Sequence, residues 1–272
     1  MATYVDWNND SAVKAHFYAA NGYPVQVYEP LMTLLSQKFQ LKALHNRAQW
    51  PDIGSPKSNI RWQTYANDLI HFLDAQHDTG VIGIGHSMGA SSTIFAAAKR
   101  PDLFSQLILI EPVALPPTMS WLLNSIPLSL RRKYLQPGKS TLTRRNRWQD
   151  RAVLRDQLEK WTSLEGISPS ALDSFANHVV IDKGGEVGLA FPREWEAHNF
   201  FHPSSIWTQL KKVKCPITVL RSEAGIFFNE SMWDHWQKIR PQDHIEYLSG
   251  YGHLLPLQAP ELCAEKIINA TS

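Results

Sequence analysis

Val81-Ile82-Gly83-Ile84-Gly85-His86-Ser87-Met88-Gly89-Ala90 is the stretch that decides how this chain reads. An apolar run enters a G-x-S-x-G pentapeptide, and a helical stretch rich in small residues leaves it, running from Ser91 to Arg100. A strand that turns this sharply into a helix holds the residue at the turn in a strained conformation. Gly85 and Gly89 have no Cβ to clash there, so Ser87 is predicted to project its Oγ clear of the sheet. A serine hydroxyl is a weak nucleophile until a histidine takes its proton. The segment Ser249-Gly250-Tyr251-Gly252-His253-Leu254-Leu255-Pro256 supplies one, with His253 in a loop between a predicted strand and a predicted helix.

Outward from the pentapeptide, short apolar runs alternate with helix-length amphipathic patterns. That rhythm predicts an α/β fold with a mostly parallel central sheet covered on both faces. Strands are predicted over residues 14–20, 39–45, 81–85, 107–110, 217–221 and 245–248. Helices are predicted over 27–38, 60–77, 87–99, 206–212, 231–239 and 257–270. On the helix at 60–77, Trp62, Tyr65, Leu69, Phe72 and Leu73 recur at helical spacing. The alternation breaks between residues 113 and 204, which are rich in Pro, Trp and Arg and carry amphipathic pieces at 121–134 and 147–164. The predicted organisation is therefore a core of residues 1–112 and 205–272 with a mainly helical insert, 113–204.

A chain of 272 residues with 43% hydrophobic content can bury a large core. The formal net charge of +2 implies no polyanion partner. The distribution is uneven: residues 131–155 hold nine basic residues and one acid, which leaves the remainder at −6. That run suits an anionic substrate, a CoA phosphate, a membrane surface, or simply a solvated face. It matches no recognition module for nucleic acid, so no nucleic-acid partner is expected. Cys215 and Cys263, without paired spacing, predict neither a disulfide framework nor a zinc site and fit a reducing compartment. Residues 1–10 lack the features of an export signal, and no apolar run reaches bilayer length, so no integral membrane contact and a cytoplasmic location are expected. His198 and His202 stand at i, i+4, but without a third ligand no metal is predicted, and no cofactor either.

The motifs G-H-S-M-G and G-Y-G-H, with Ala19-Ala20-Asn21-Gly22-Tyr23-Pro24 where relatives carry H-G-x-P, resemble the α/β-hydrolase superfamily over nearly the whole chain. The resemblance implies a serine hydrolase with its triad in the order nucleophile, acid, histidine, of which Ser87 and His253 fill two places. Many relatives place an aspartate after the strand that here reads 217–221, yet that loop, Arg221-Ser222-Glu223-Ala224-Gly225-Ile226-Phe227-Phe228, has none. Others place the acid after the preceding strand, where this chain has Glu111. Glu111 is the expected acid, and Glu223 the alternative. The backbone N–H groups of Met88 and, in the place of the H-G-x-P donor, Tyr23 are the expected oxyanion hole.

An insert at this place in the superfamily is a cap over the site. Trp121, Leu122 and Ile126 are the expected lining of an apolar pocket within it. The serine excludes the branches that use an aspartate nucleophile. The resulting expectation is cleavage of a carboxylester or thioester of a small to medium apolar acyl or aromatic small-molecule substrate. A slow-turnover ligand receptor on the same fold and a carbon–carbon bond hydrolase are the alternatives. Neither the natural substrate nor the oligomeric state can be read from the residues.

Overall fold

The strand Val81–His86 has all six residues buried and lies in the middle of a seven-stranded sheet. The structure is a computed structural model that describes every residue except Met1, Asn8, Glu159, Thr162, Ser163, Ala224, Ile226, Phe227 and Ser272. In chain order the first five strands are β1 (Tyr4–Trp7), β2 (Lys14–Tyr18), β3 (Gln40–Leu44), β4 (Val81–His86) and β5 (Phe104–Ile110). After the insert come β9 (Ile217–Arg221) and β10 (His244–Tyr247). The spatial order is β1-β3-β2-β4-β5-β9-β10, parallel except for β1, which runs antiparallel to β3. β1 has no counterpart among the predicted strands, since its alternation is short and only half buried.

Helices cover both faces, which is why the central strands read as unbroken apolar runs. One face packs under α1 (Glu29–Leu35) and the C-terminal α13 (Pro260–Asn269), through Leu31, Leu35, Cys263 and Ile267. The other packs under α2 (Trp62–Ala75), α3 (Met88–Lys99) and α11 (Glu230–Ile239), through Tyr65, Leu69, Ile94 and Trp236. Burying an aliphatic side chain of this kind contributes about 1.5–3 kcal/mol relative to exposure. The predicted helix at 257–270 is split, because Pro260 cannot continue the ladder of α12 (Leu255–Gln258) and instead opens α13.

β5 pairs directly with β9, so residues 111–216 leave the sheet and return to its next strand. The excursion carries α4 (Pro117–Ser125), α5 (Leu128–Tyr134), α6 (Gly138–Thr143), α7 (Arg151–Leu158), α8 (Pro169–His178) and α9 (Arg193–Phe201). Beside these helices it carries a small antiparallel sheet of β6 (Arg147–Trp148), β7 (Val180–Asp182) and β8 (Val187–Leu189) in the order β6-β8-β7. The predicted piece at 121–134 breaks at Ile126-Pro127, where extended backbone separates α4 from α5. In the piece at 147–164, Glu159, Thr162 and Ser163 lie outside the described residues. α10 (Trp207–Leu210) then leads back to β9.

Candidate active site

Ser87 sits between β4 and α3 with φ 56° and ψ −120°, the strained turn that its two flanking glycines permit. A Cβ on Gly89 would stand 2.2 Å from the Tyr18 carbonyl oxygen, and one on Gly85 would stand 2.7 Å from Ala90 Cα. Any side chain at either position would push α3 off the sheet. The Ser87 N–H donates to the Ile110 carbonyl at 3.0 Å, which ties the turn to the end of β5.

Glu111 follows that strand end and takes φ 47°, a left-handed conformation uncommon for a glutamate. Its N–H donates to the Leu220 carbonyl at 3.0 Å, extending the β5–β9 pairing by one residue. The carboxylate is buried. Oε1 accepts the Ser222 N–H at 2.5 Å, and Oε2 lies 3.3 Å from His253 Nδ1. On the other side of the imidazole, Nε2 is 2.8 Å from Ser87 Oγ. These partners specify the tautomer: Nδ1–H donates to Glu111, and Nε2 accepts the Ser87 O–H. Three strand ends thus bring serine, imidazole and carboxylate into one chain at the carboxyl edge of the sheet, where α/β proteins place their ligands.

Glu223, the alternative acid, is turned elsewhere. Its Oε1 accepts the Gly250 N–H at 3.1 Å, and a hydrogen bond from the Tyr247 hydroxyl holds its carboxyl below the usual range. It braces the turn that leads to His253 from the solvent side.

His86 drew no attention in the sequence beyond its place in the pentapeptide. It is fully buried, and its Nε2–H donates to the main-chain carbonyl of His253 at 2.8 Å. Nδ1 accepts the Tyr28 hydroxyl at 2.7 Å. Burial, then the neighbouring His253, push His86 down to about 3, so the ring stays neutral and Nδ1 can accept the Tyr28 hydroxyl. The signal available in sequence was a titratable residue at the end of a strand buried on both faces.

Met88 opens α3, so its N–H has no acceptor within the helix and points with the positive end of the helix dipole. The Tyr23 N–H makes a 3.3 Å turn bond to the Ala20 carbonyl. Gly22, at φ 87°, lies against Glu196 of α9: a Cβ there would be 2.5 Å from the Glu196 Cδ. Asn21 donates to the Glu196 carbonyl at 3.0 Å and accepts from Asn199 at 2.8 Å. Tyr65 donates to the other end of the Asn199 amide at 2.8 Å. Buried Glu196 is held by Arg144 through both guanidinium nitrogens, while burial pushes its carboxyl upward. The insert therefore rests on the loop that carries Tyr23 through this polar network and through Phe175 of α8, whose ring meets the Tyr23 ring edge-on with centroids 5.9 Å apart.

Trp121 and Leu122 are 72% and 57% exposed on α4, and Ile126 lies partly exposed at the break between α4 and α5. Trp121 and Leu122 thus face solvent, where an apolar pocket lining was expected of them. α4 buries Ser120, and Asn124 donates to the Pro203 carbonyl at 2.9 Å, so Met119, Trp121 and Leu122 are left exposed. The basic run is likewise not one face. Arg144, Arg147, Arg151 and Arg155 pair with Glu196, Glu186, Asp182 and Asp173. Arg131 is buried and donates to the Phe201 carbonyl. His198 and His202 stack with centroids 4.1 Å apart, and each directs a ring nitrogen at a backbone carbonyl, of Ile60 and His198 respectively. Among the described residues, no helix is long and apolar enough to cross a membrane.

Known proteins agree with this architecture. The chain is 28% identical over 182 residues to a type I acyl-CoA thioesterase of Penicillium brevicompactum, a match covering 59% of this chain and 38% of that protein. The matched region thus spans well under half the length of that relative. Among solved structures, E-2-(acetamidomethylene)succinate hydrolase superposes with a TM-score of 0.79 at 19% identity, covering 99% of this chain and 98% of that one. The thioesterase domain of the curacin biosynthetic pathway gives 0.75 at 16% identity, covering 98% of both chains. The model of the alpha/beta hydrolase family matches residues 20–266, and the chain belongs to that family.

Proposed function

We propose that this hydrolase cleaves a carboxylester or thioester through an acyl-enzyme on Ser87. The observation that carries the reading is the 2.8 Å approach of Ser87 Oγ to His253 Nε2, with Glu111 on the opposite nitrogen. Ser87 Oγ attacks the acyl carbonyl carbon while His253 Nε2 takes its proton. The negative charge that builds on the carbonyl oxygen is met by the Met88 N–H and by the Tyr23 N–H, which turns from its long bond to Ala20. Collapse breaks the bond to the leaving alcohol or thiol, which carries away the proton from His253. Water then attacks the acyl-serine, with His253 as base, and the acid leaves. Glu111 orients the ring and stabilises the imidazolium without taking the proton.

Residues 113–204 act in this reading as a cap whose base borders the oxyanion loop. The likeness to an acyl-CoA thioesterase supports including thioesters among the substrates. The test is steady-state turnover of p-nitrophenyl esters and acyl-CoA thioesters of matched chain length. Continuous release from at least one series, lost in Ser87→Ala, is expected. A single stoichiometric burst with no turnover would place the protein among slow-turnover receptors instead.

A further inference from the structure

The basic run and the exposed apolar residues of the insert are distributed together. No Asp or Glu occurs between Glu111 and Asp150, so α5 and α6 carry cations without acids of their own, and α4 carries no charged side chain. Farther along, each of Arg144, Arg147, Arg151 and Arg155 finds a carboxylate. Arg132, Lys133 and Lys139 do not: all three are exposed, and none has an ion-pair partner among the described residues. Those same helices hold Met119, Trp121, Leu122, Leu130 and Tyr134, each 45–72% exposed. Lys133 Nζ stands 5.0 Å over the Tyr134 ring. α4 and α5 are joined by the Arg131–Asn124 hydrogen bond, and both bury a polar group, Ser120 on one and Arg131 on the other. This inverts the arrangement that burial against the core would select.

Exposed apolar side chains on α4 and α5, with unpaired cations on α5 and α6, suit a boundary that is apolar within and negatively charged at its face. Trp and Tyr are the aromatics that settle at such a boundary, with an apolar body and a polar edge. We infer that α4, α5 and the start of α6 form a docking surface for an anionic lipid bilayer, with Trp121 and Leu122 entering the interface and Arg132, Lys133 and Lys139 meeting the headgroups. The contact is peripheral and salt-sensitive, and it does not depend on the catalytic reading.

Co-sedimentation with vesicles tests it. One set is phosphatidylcholine alone, and the other is phosphatidylcholine with phosphatidylglycerol in roughly equal parts. The protein is expected to pellet at low salt with the anionic vesicles only and to be released as salt shortens the screening length to about 8 Å. Trp121→Ser with Leu122→Ser, and separately Arg132→Glu with Lys133→Glu, should each weaken binding roughly tenfold or more, since apolar and charged contacts both contribute. Arg147→Gln with Arg151→Gln, which removes already-paired charges, should leave binding unchanged. Melting temperatures identify any variant that fails to fold, and the other double variant then carries the test. No pelleting with either vesicle, equal pelleting with both, or equal loss from the Arg147 and Arg151 changes overturns the inference. A concentration-dependent dimer in sedimentation velocity that Trp121→Ser dissolves assigns the surface to a second copy and also overturns it.

Discussion

His86 Nε2–H donates to the main-chain carbonyl of His253 across 2.8 Å, so the residue just before Ser87 holds the backbone of His253. Ser87 and His253 approach from strands that are not adjacent, and this bond spans the gap between them. The Tyr28 hydroxyl completes the chain on the far side of the ring.

His86→Leu removes this donor while filling much the same volume, and it should lower kcat about a hundredfold with little change in KM, the pattern for lost orientation. His86→Gln keeps an N–H to offer and should recover most of kcat. Steady-state kinetics on a p-nitrophenyl ester decide the matter. If Leu and Gln are equally harmful, or if only KM moves, the hydrogen bond has no positioning role.

The two candidate acids should separate sharply. Glu111→Gln should cost about a thousandfold or more in kcat, because an amide in the acid position selects the wrong tautomer. Glu223→Gln should change kcat by no more than about threefold, since its carboxylate accepts from the Gly250 N–H and the Tyr247 hydroxyl. A large loss from Glu223→Gln with a small one from Glu111→Gln would reverse the assignment.

Much of this was legible in the sequence because it rests on local rules. The elbow needs two glycines around one serine, and the strands of a doubly covered sheet need apolar runs; both are one-dimensional signals. Glu111 could be singled out only through the resemblance, because some relatives carry their acid after that strand and the loop after 217–221 has no aspartate. What escaped reading is non-local. Whether Trp121 faces in or out depends on Asn124 reaching the Pro203 carbonyl from 79 positions away, and no periodicity records that. The Arg pairings likewise join residues 31 and 39 positions apart, so a run that reads as one basic face is divided by its partners. β6, β7 and β8 are two or three residues long, too short for alternation to register.

Glu196, buried against Gly22, needs Arg144. Arg144→Met should destabilise the protein by about 2 kcal/mol, below the usual range for a broken buried pair because the Arg144 side chain is 39% exposed. Adding Glu196→Gln to that variant should restore more than half of the loss, as no buried charge is then left alone. Urea denaturation of the single and double variants measures both. Strictly additive losses would mean that the pair is not coupled.

Stability should also respond to acid through His86. Its folded value is about 3 against an ordinary 6.5, so between those values the unfolded chain binds a proton that the folded chain refuses. Stability therefore rises with pH across that window and is lost as pH falls through it, at up to about 1.4 kcal/mol per pH unit from this one ring. His16, also driven to about 3 by burial, adds in the same direction. Denaturation free energies measured from pH 7 to pH 4 should show a shallower slope for His86→Gln than for the parent protein. Parallel slopes would mean that His86 is charged or exposed in the folded state.

Mass spectrometry after reaction with a fluorophosphonate tests the central claim most directly. The account predicts one adduct per chain, mapped to Ser87, absent in Ser87→Ala and formed far more slowly in His253→Gln. An adduct mapped elsewhere, or ester turnover undiminished in Ser87→Ala, would contradict it.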